Sequence, residues 1–345
     1  MPTYRLQPAW RLFALAFALV AALAVLVGAM LSAAQAAPLG GLKQYRVPTA
    51  DSQPRHITVG SDGNLWFTEG NEFFTPDPDP EAGGTFHNNI GRITPAGEIT
   101  EFRIDGCQCF LNDIVQGPDG VLYFTTNNPS LGRITTSGQV LDSVPTPRSN
   151  AIGNSIAAHA NDIWFTDFNN NSLWRYDTTS GSFTEFPVPT PGANPYDVAV
   201  DADGIVWFTE FHANQIGRLD PATGTITETA VASGPRHIAI ASDGKVWFTE
   251  RFNHAVGYLD PSTKQVREFQ LAAGAGPEDI AAAPNGALWF TQFNAGNIAR
   301  ITPDGTITEG RNVKGSGPFG ITVGPDGNPW YAMHDANKIA TLQLR

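Results

Sequence analysis

Short apolar runs alternate with turn residues along the chain. In the first unit Ile57-Thr58-Val59 leads through Ser61-Asp62-Gly63-Asn64 to Leu65-Trp66-Phe67-Thr68. Ile90-Gly91-Arg92-Ile93 and Ile99-Thr100-Glu101-Phe102 follow, the latter entered through Ala96-Gly97. β-Branched and aromatic residues fill the runs, which predicts four strands. Asp-Gly and Ala-Gly supply the positive φ that tight hairpins need.

The unit recurs, with its central aromatic at Trp66, Tyr123, Trp164, Trp207, Trp247, Trp289 and Trp330. The intervals are 57, 41, 43, 40, 42 and 41 residues, the first lengthened by a Pro-, Asp- and Glu-rich insertion from Gly70 to His87. Such a period with four short strands per copy predicts an all-β fold, a seven-bladed β-propeller. The seventh copy ends on its third strand, Ile339-Ala340-Thr341-Leu342. Leu42 to Val47 aligns with the missing fourth strand and is predicted to close the last blade, with Thr341 opposite Gln44. The same folding rule pairs Arg92 with Glu101, Arg133 with Asp142, Arg175 with Glu185, Arg218 with Glu228 and Arg300 with Glu309. These are read as structural cross-strand ion pairs.

Residues 1–36 are set apart from the fold. Arg5 and Arg11 precede an apolar run from Leu12 to Leu31, and Ala34-Gln35-Ala36 forms a small-x-small site, the pattern of a secretory signal cut before Ala37. An uncleaved anchor is the alternative. The propeller is assigned to residues 37–345, as a secreted monomer with no membrane partner after cleavage. The whole chain carries a net charge of −12; without Arg5 and Arg11, 19 Lys and Arg face 33 Asp and Glu, a net of −14. That acidity excludes nucleic acid and anionic membrane as partners. Cys107 and Cys109, in an oxidising compartment, read as a local loop staple, with a redox or soft-metal pair as the alternative.

The Asp-Gly turns and the hairpins between strands three and four fall on one face, and the loops around Pro-x-x-Ile and after Trp-Phe-Thr on the other. The residues before each first-strand Ile or Val therefore converge on a channel mouth: Arg55-His56, Asn112-Asp113, Asn154-Ser155, Tyr196-Asp197, Arg236-His237, Glu278-Asp279 and Phe319-Gly320. Glu69, Asp167, Glu210 and Glu250 follow the Trp-Phe-Thr strands, and of these Glu69, Glu210 and Glu250 share a repeated place and read as structural, bonding to the neighbouring blade.

The Trp-Phe-Thr-Glu and Ile-Gly-Arg-Ile repeats resemble the virginiamycin B lyase family, also called streptogramin lyases, over the whole chain after the signal. The resemblance implies Mg²⁺-assisted elimination that linearises a cyclic depsipeptide. It also implies a His at the place of Glu278, a Glu-Pro-His where Gly317-Pro318-Phe319 stands, and a metal-binding Glu where His334 stands beside Asp335.

Two function classes follow. One is a binding propeller, a departed member of that family, whose acidic mouth takes a small-molecule or protein ligand. The alternative is a divergent Mg²⁺-dependent carbon–oxygen lyase acting on a cyclic ester. In the lyase reading His237, His56 or His334 accepts the proton. Asp113, Asp197, Glu278 and Asp279 hold Mg²⁺ or another divalent cation. Arg55, Tyr196, Arg236 and Phe319 contact the substrate. Two or more histidines with carboxylates within ~5–6 Å of one point favour the enzyme.

Overall fold

A computed structural model describes residues 39–70, 88–105, 107 and 109–344. The signal segment and nearly all of the insertion lie outside these residues. Seven four-stranded antiparallel sheets form the propeller, each running from an inner first strand to an outer fourth. Blade 1 comprises Pro54–Val59, Leu65–Glu69, Asn89–Ile93 and Ile99–Arg103. Blade 7 takes Pro318–Val323, Pro329–Met333 and Lys338–Gln343 from the C-terminal end, and its outer strand, Gly41–Arg46, from the N-terminal end. The predicted closure is therefore present. First strands of successive blades touch around the ring, and that of blade 7 touches that of blade 1.

Each repeat residue has a physical task. The central Trp side chains are almost fully buried between blades. The Asp of the first turn accepts the indole N–H: Asp62 from Trp66 at 3.2 Å, Asp201 from Trp207 at 2.9 Å and Asp326 from Trp330 at 3.0 Å. In blades 1, 4 and 7 a buried donor thus keeps a partner, supplied by the Asp of the turn. Phe67 lies opposite Gly91, and a Cβ there would come within 2.1 Å of the Phe67 ring. That contact explains the glycine in Asn-Ile-Gly-Arg-Ile.

The Thr of Trp-Phe-Thr joins blades. Its Oγ accepts the N–H of the first-strand residue at the axis and donates to a carbonyl of the next blade. Thr209 takes the Asp197 N–H at 3.0 Å and gives to the Arg236 carbonyl at 2.8 Å. Thr68, Thr125, Thr166, Thr249 and Thr291 do the same. Blade 7 has Ala332 in this place. There the backbones meet directly, and a Cβ on Gly320 would lie 2.4 Å from the Arg55 carbonyl oxygen.

The cross-strand ion pairs are corrected by one residue. Arg92 faces Thr100 and Glu101 faces Gly91; likewise Arg133 faces Leu141, Arg175 faces Thr184, Arg218 faces Thr227 and Arg300 faces Thr308. The closing pair slips equally, with Thr341 opposite Lys43. The physical reason is the hairpin. Thr94 N–H reaches the Glu98 carbonyl at 3.0 Å around a three-residue loop with Gly97 at φ 98°, where the sequence reading assumed two. Four of the arginines instead lie over their own Trp rings, Arg92 5.6 Å from Trp66 and Arg218 5.8 Å from Trp207, while Arg133 donates to the Asp142 backbone carbonyl at 2.7 and 2.9 Å. The acids clasp the linker that enters a blade: Glu101 accepts from Thr49 N and Oγ, and Glu228 from Thr190 N and Oγ, all between 2.9 and 3.1 Å. Cys107 and Cys109 are bonded to each other, as the staple reading expects.

Candidate functional site at the channel mouth

The axis is lined by one residue per blade: His56, Asp113, Ser155, Asp197, His237, Asp279 and Gly320. The three aspartates stand on blades 2, 4 and 6, and each stitches the next blade. Asp197 accepts from its own neighbour Val198 at 2.8 Å and from Ile238 of blade 5 at 2.8 Å. Asp279 accepts from Ile280 at 2.7 Å and Ile321 at 2.8 Å, and Asp113 from Ile114 at 2.7 Å and Ile156 at 3.2 Å. Ser155 donates towards both Asp113 and Asp197.

The two imidazoles fill the gaps between these carboxylates. Their centroids are 5.2 Å apart. His237 Nδ1 lies 3.2 Å from Asp197 and 3.5 Å from Asp279; His56 Nδ1 lies 3.6 Å from Asp113 and 3.9 Å from Asp279. His56, His237 and Asp279 place one ligand atom each within 4.8 Å of one another. Burial opposes charge on both rings. For His56 burial, reinforced by His237, Arg55 and Arg236, holds the pKa well below the usual value. For His237 burial is outweighed by Asp279, Asp197 and Glu278, and the pKa rises to about 9. Burial, with Asp197 beside it, raises Asp113 to about 7, and burial raises Asp279 to about 6 against the pull of His237.

Glu278 does not share the axis with the aspartates. Its buried carboxylate lies between Arg236 Nε at 2.5 Å and Arg251 Nη1 at 2.6 Å. Arg236 in turn covers the Tyr196 ring at 4.7 Å, and Arg55 covers Phe319 at 4.9 Å. Phe319 is buried and packs against both His56 and His334, at 5.2 and 5.8 Å. His334 therefore lies apart from the other two histidines, its Nδ1 held by Asp335 at 2.7 Å.

An outer rim, apart from His334, escaped the sequence reading. The residue four places after the central aromatic is Gly70, Asn127, Phe168, Phe211, Arg251, Phe293 and His334 in turn. That spacing was the available signal. In blades 3 to 7 the rim is aromatic or cationic. Phe168 and Phe211 flank Tyr196 at 6.2 and 5.8 Å, Arg251 covers Phe293 at 4.7 Å, and Phe293 meets His334 at 6.2 Å. Phe252, 67% exposed, extends the row beside Phe211. Glu250 takes N–H groups from Ser233 at 3.1 Å and Asn253 at 2.8 Å, in loops of its own blade rather than the neighbouring one. A separate cavity of about 380 Å³, lined by Cys107, Asn128, Arg133 and Asp142, lies at the outer strand of blade 2.

The sequence model of the Virginiamycin B lyase family matches residues 32–234 and 225–345. The chain belongs to this family. It is 32% identical over 160 residues to the virginiamycin B lyase of Nocardia farcinica, an alignment spanning 46% of this chain and half of that relative. A streptogramin B lyase structure superposes with a TM-score of 0.78 at 29% identity, covering 88% of this chain and 98% of the other. Staphylococcus aureus virginiamycin B lyase gives 0.77 at 30% identity, covering 88% and 99%. A catalytically inactive histidine-to-alanine variant of that enzyme, solved with quinupristin, gives the same values.

Gly317 and His334 stand where the family resemblance puts its two Mg²⁺ carboxylates. Neither supplies one, and the space a side chain at 317 would enter is filled by the Asp335 carboxylate, 2.6 Å from that Cβ position. That carboxylate is itself engaged with His334. Gly317 and His334 themselves offer no side-chain oxygen, the ligand type that Mg²⁺ selects.

Proposed function

We propose that this member of the virginiamycin B lyase family is a secreted binding propeller. Its mouth takes a neutral, carbonyl-rich ring compound carrying aromatic groups, of the cyclic depsipeptide kind. The observation that carries this reading is the neutralisation of Glu278 by Arg236 and Arg251. The mouth is thereby compensated within itself, so the acidity of the chain does not create a demand for a cationic ligand. What remains for recognition is a crescent of rings, Phe168, Phe211, Tyr196, Phe293 and Phe319, with guanidinium donors between them. Rings offer flat apolar area, and guanidinium groups donate to carbonyl oxygens.

A second reading, a carbon–oxygen lyase, is supported by His334. Asp335 holds its Nδ1 and leaves Nε2 for the ligand, the orientation a general base needs. The proton beside the ester-bearing carbon would pass to Nε2. The C–O bond would break with its electron pair leaving on the carboxylate, and a C=C bond would remain. The convergence of His56, His237 and Asp279 also meets the condition set for an enzyme, though at the buried axis.

Quinupristin serves as the probe. Calorimetric titration followed by chromatography separates the readings, since elimination opens the ring without adding water and gives a separable isomer. Saturable binding with intact ring supports the binding propeller. Ring opening that is lost in His334→Ala supports the lyase. No heat and no ring opening overturns both.

A further inference from the structure

We propose that His56, His237 and Asp279 form an axial site for one divalent transition-metal ion of the zinc class, tested without reference to what the rim of the mouth binds. Nδ1 of each imidazole has its nearest carboxylate elsewhere, His237 at Asp197 at 3.2 Å and His56 at Asp113 at 3.6 Å, but both also come near Asp279, His237 to Oδ1 at 3.5 Å and His56 to Oδ2 at 3.9 Å. The three donor atoms lie within 4.8 Å of one another. An ion with bonds of ~2.0–2.2 Å bridges donors ~3–4 Å apart, so a small inward turn of the rings completes the site. Each oxygen of Asp279 accepts one backbone N–H and keeps a second lone pair. Asp113 stands against His56 and Asp197 against His237, whereas Asp279 comes within 4 Å of both rings.

The outer side of His237 supplies the independent observation. This residue is 2% exposed, and its Nε2 has no hydrogen-bond partner, while Glu278 Oε1 stands 3.9 Å away. A metal-binding imidazole usually donates its outer N–H to a carboxylate, and a turn of the His237 ring towards the ion would leave Glu278 as the nearest acceptor for that donor. Arg236 and Arg251 fix that carboxylate, so Glu278 is a positioning residue. Two imidazole nitrogens select zinc, cobalt, nickel or copper over magnesium and calcium.

The full chain, stripped by chelator and dialysed, is titrated with Co²⁺ and then Zn²⁺. The expected result is one ion per chain, visible Co²⁺ absorption bands that Zn²⁺ displaces, and a rise in melting temperature. Asp279→Asn and His56→Gln each abolish the bands, and the two variants together cover the case in which one fails to fold. Glu278→Gln weakens affinity about 10–100-fold. His334→Ala leaves the bands intact. Absence of the bands in the parent chain, their persistence in a folded Asp279→Asn or His56→Gln, or their loss in His334→Ala overturns the axial site. None of these outcomes depends on quinupristin.

Discussion

Six junctions between blades are built one way and the seventh another. At the six, a Thr hydroxyl relays a hydrogen bond from one first strand to the next. At the junction from blade 7 to blade 1 the Thr is Ala332, and Gly320 lets the backbones touch. A different polar group stands beside it. Asn337, in the left-handed region at φ 54°, accepts from Ser52 N and Oγ at 3.0 and 2.9 Å and donates to the Thr49 carbonyl at 2.7 Å. The difference teaches that the repeat need not be uniform. One junction joins the two ends of the chain, and there the closing strand and Asn337 replace the relay. The aspartate stitch shows the same arithmetic. It occupies every second blade, and a ring of odd order must break that alternation once; it does so beside Gly320.

The most direct way to break the comparison is to remove the closing strand. Deleting residues 39–47 is expected to cost more than about 3 kcal/mol, from a lost strand ladder and exposed apolar surface. Chemical denaturation against the full chain measures it, and an unchanged midpoint would show that blade 7 closes without this strand. Gly320→Ala comes next. Its Cβ would press on the Arg55 carbonyl oxygen at 2.4 Å and on His56 Cα at 2.6 Å, a backbone clash expected to cost about 1–3 kcal/mol. Thr209→Val tests an ordinary junction by stranding the Asp197 N–H and the Arg236 carbonyl, for about 1–2 kcal/mol. If both substitutions prove neutral in melting, the two kinds of junction are not mechanically distinct.

The smallest effect is one of pH. Glu210 is buried with neither carboxylate oxygen hydrogen-bonded, and burial, followed by Glu228, raises its pKa from 4.5 to about 8. The folded chain thus holds a proton that the unfolded chain releases between pH 4.5 and 8. Its contribution is full below the lower value and is lost as pH rises through the upper one. Glu210→Gln is expected to flatten melting temperature against pH across that window. An identical slope in both proteins would assign the dependence to other groups.

Periodicity made the fold legible. The Trp spacing, the Asp-Gly turns and the missing last strand determined blade number and closure, because each reflects local geometry repeated in every copy. Register was less legible. A Gly at φ 98° adds one loop residue, and a one-residue slip moved four of the five predicted ion-pair arginines onto indole faces. The axial residues could be named from their common slot. Their partners could not, because a carboxylate at that slot looks the same whether it meets a backbone N–H, an arginine or an imidazole. Arg251 shows the limit: it follows a repeated Glu by one place, yet it pairs with Glu278, 27 residues away in sequence.

The seam of the ring also governs how the molecule answers to force. Gly41 lies opposite Gln343, and Arg46 opposite Lys338, so both ends of the fold leave from the same end of one antiparallel pair. A pull between the two ends loads the hydrogen bonds one after another, as a zip opens, instead of shearing them together. A tether at both ends would therefore peel blade 7 open at low load, while the six other blades, having no free end, stay shut.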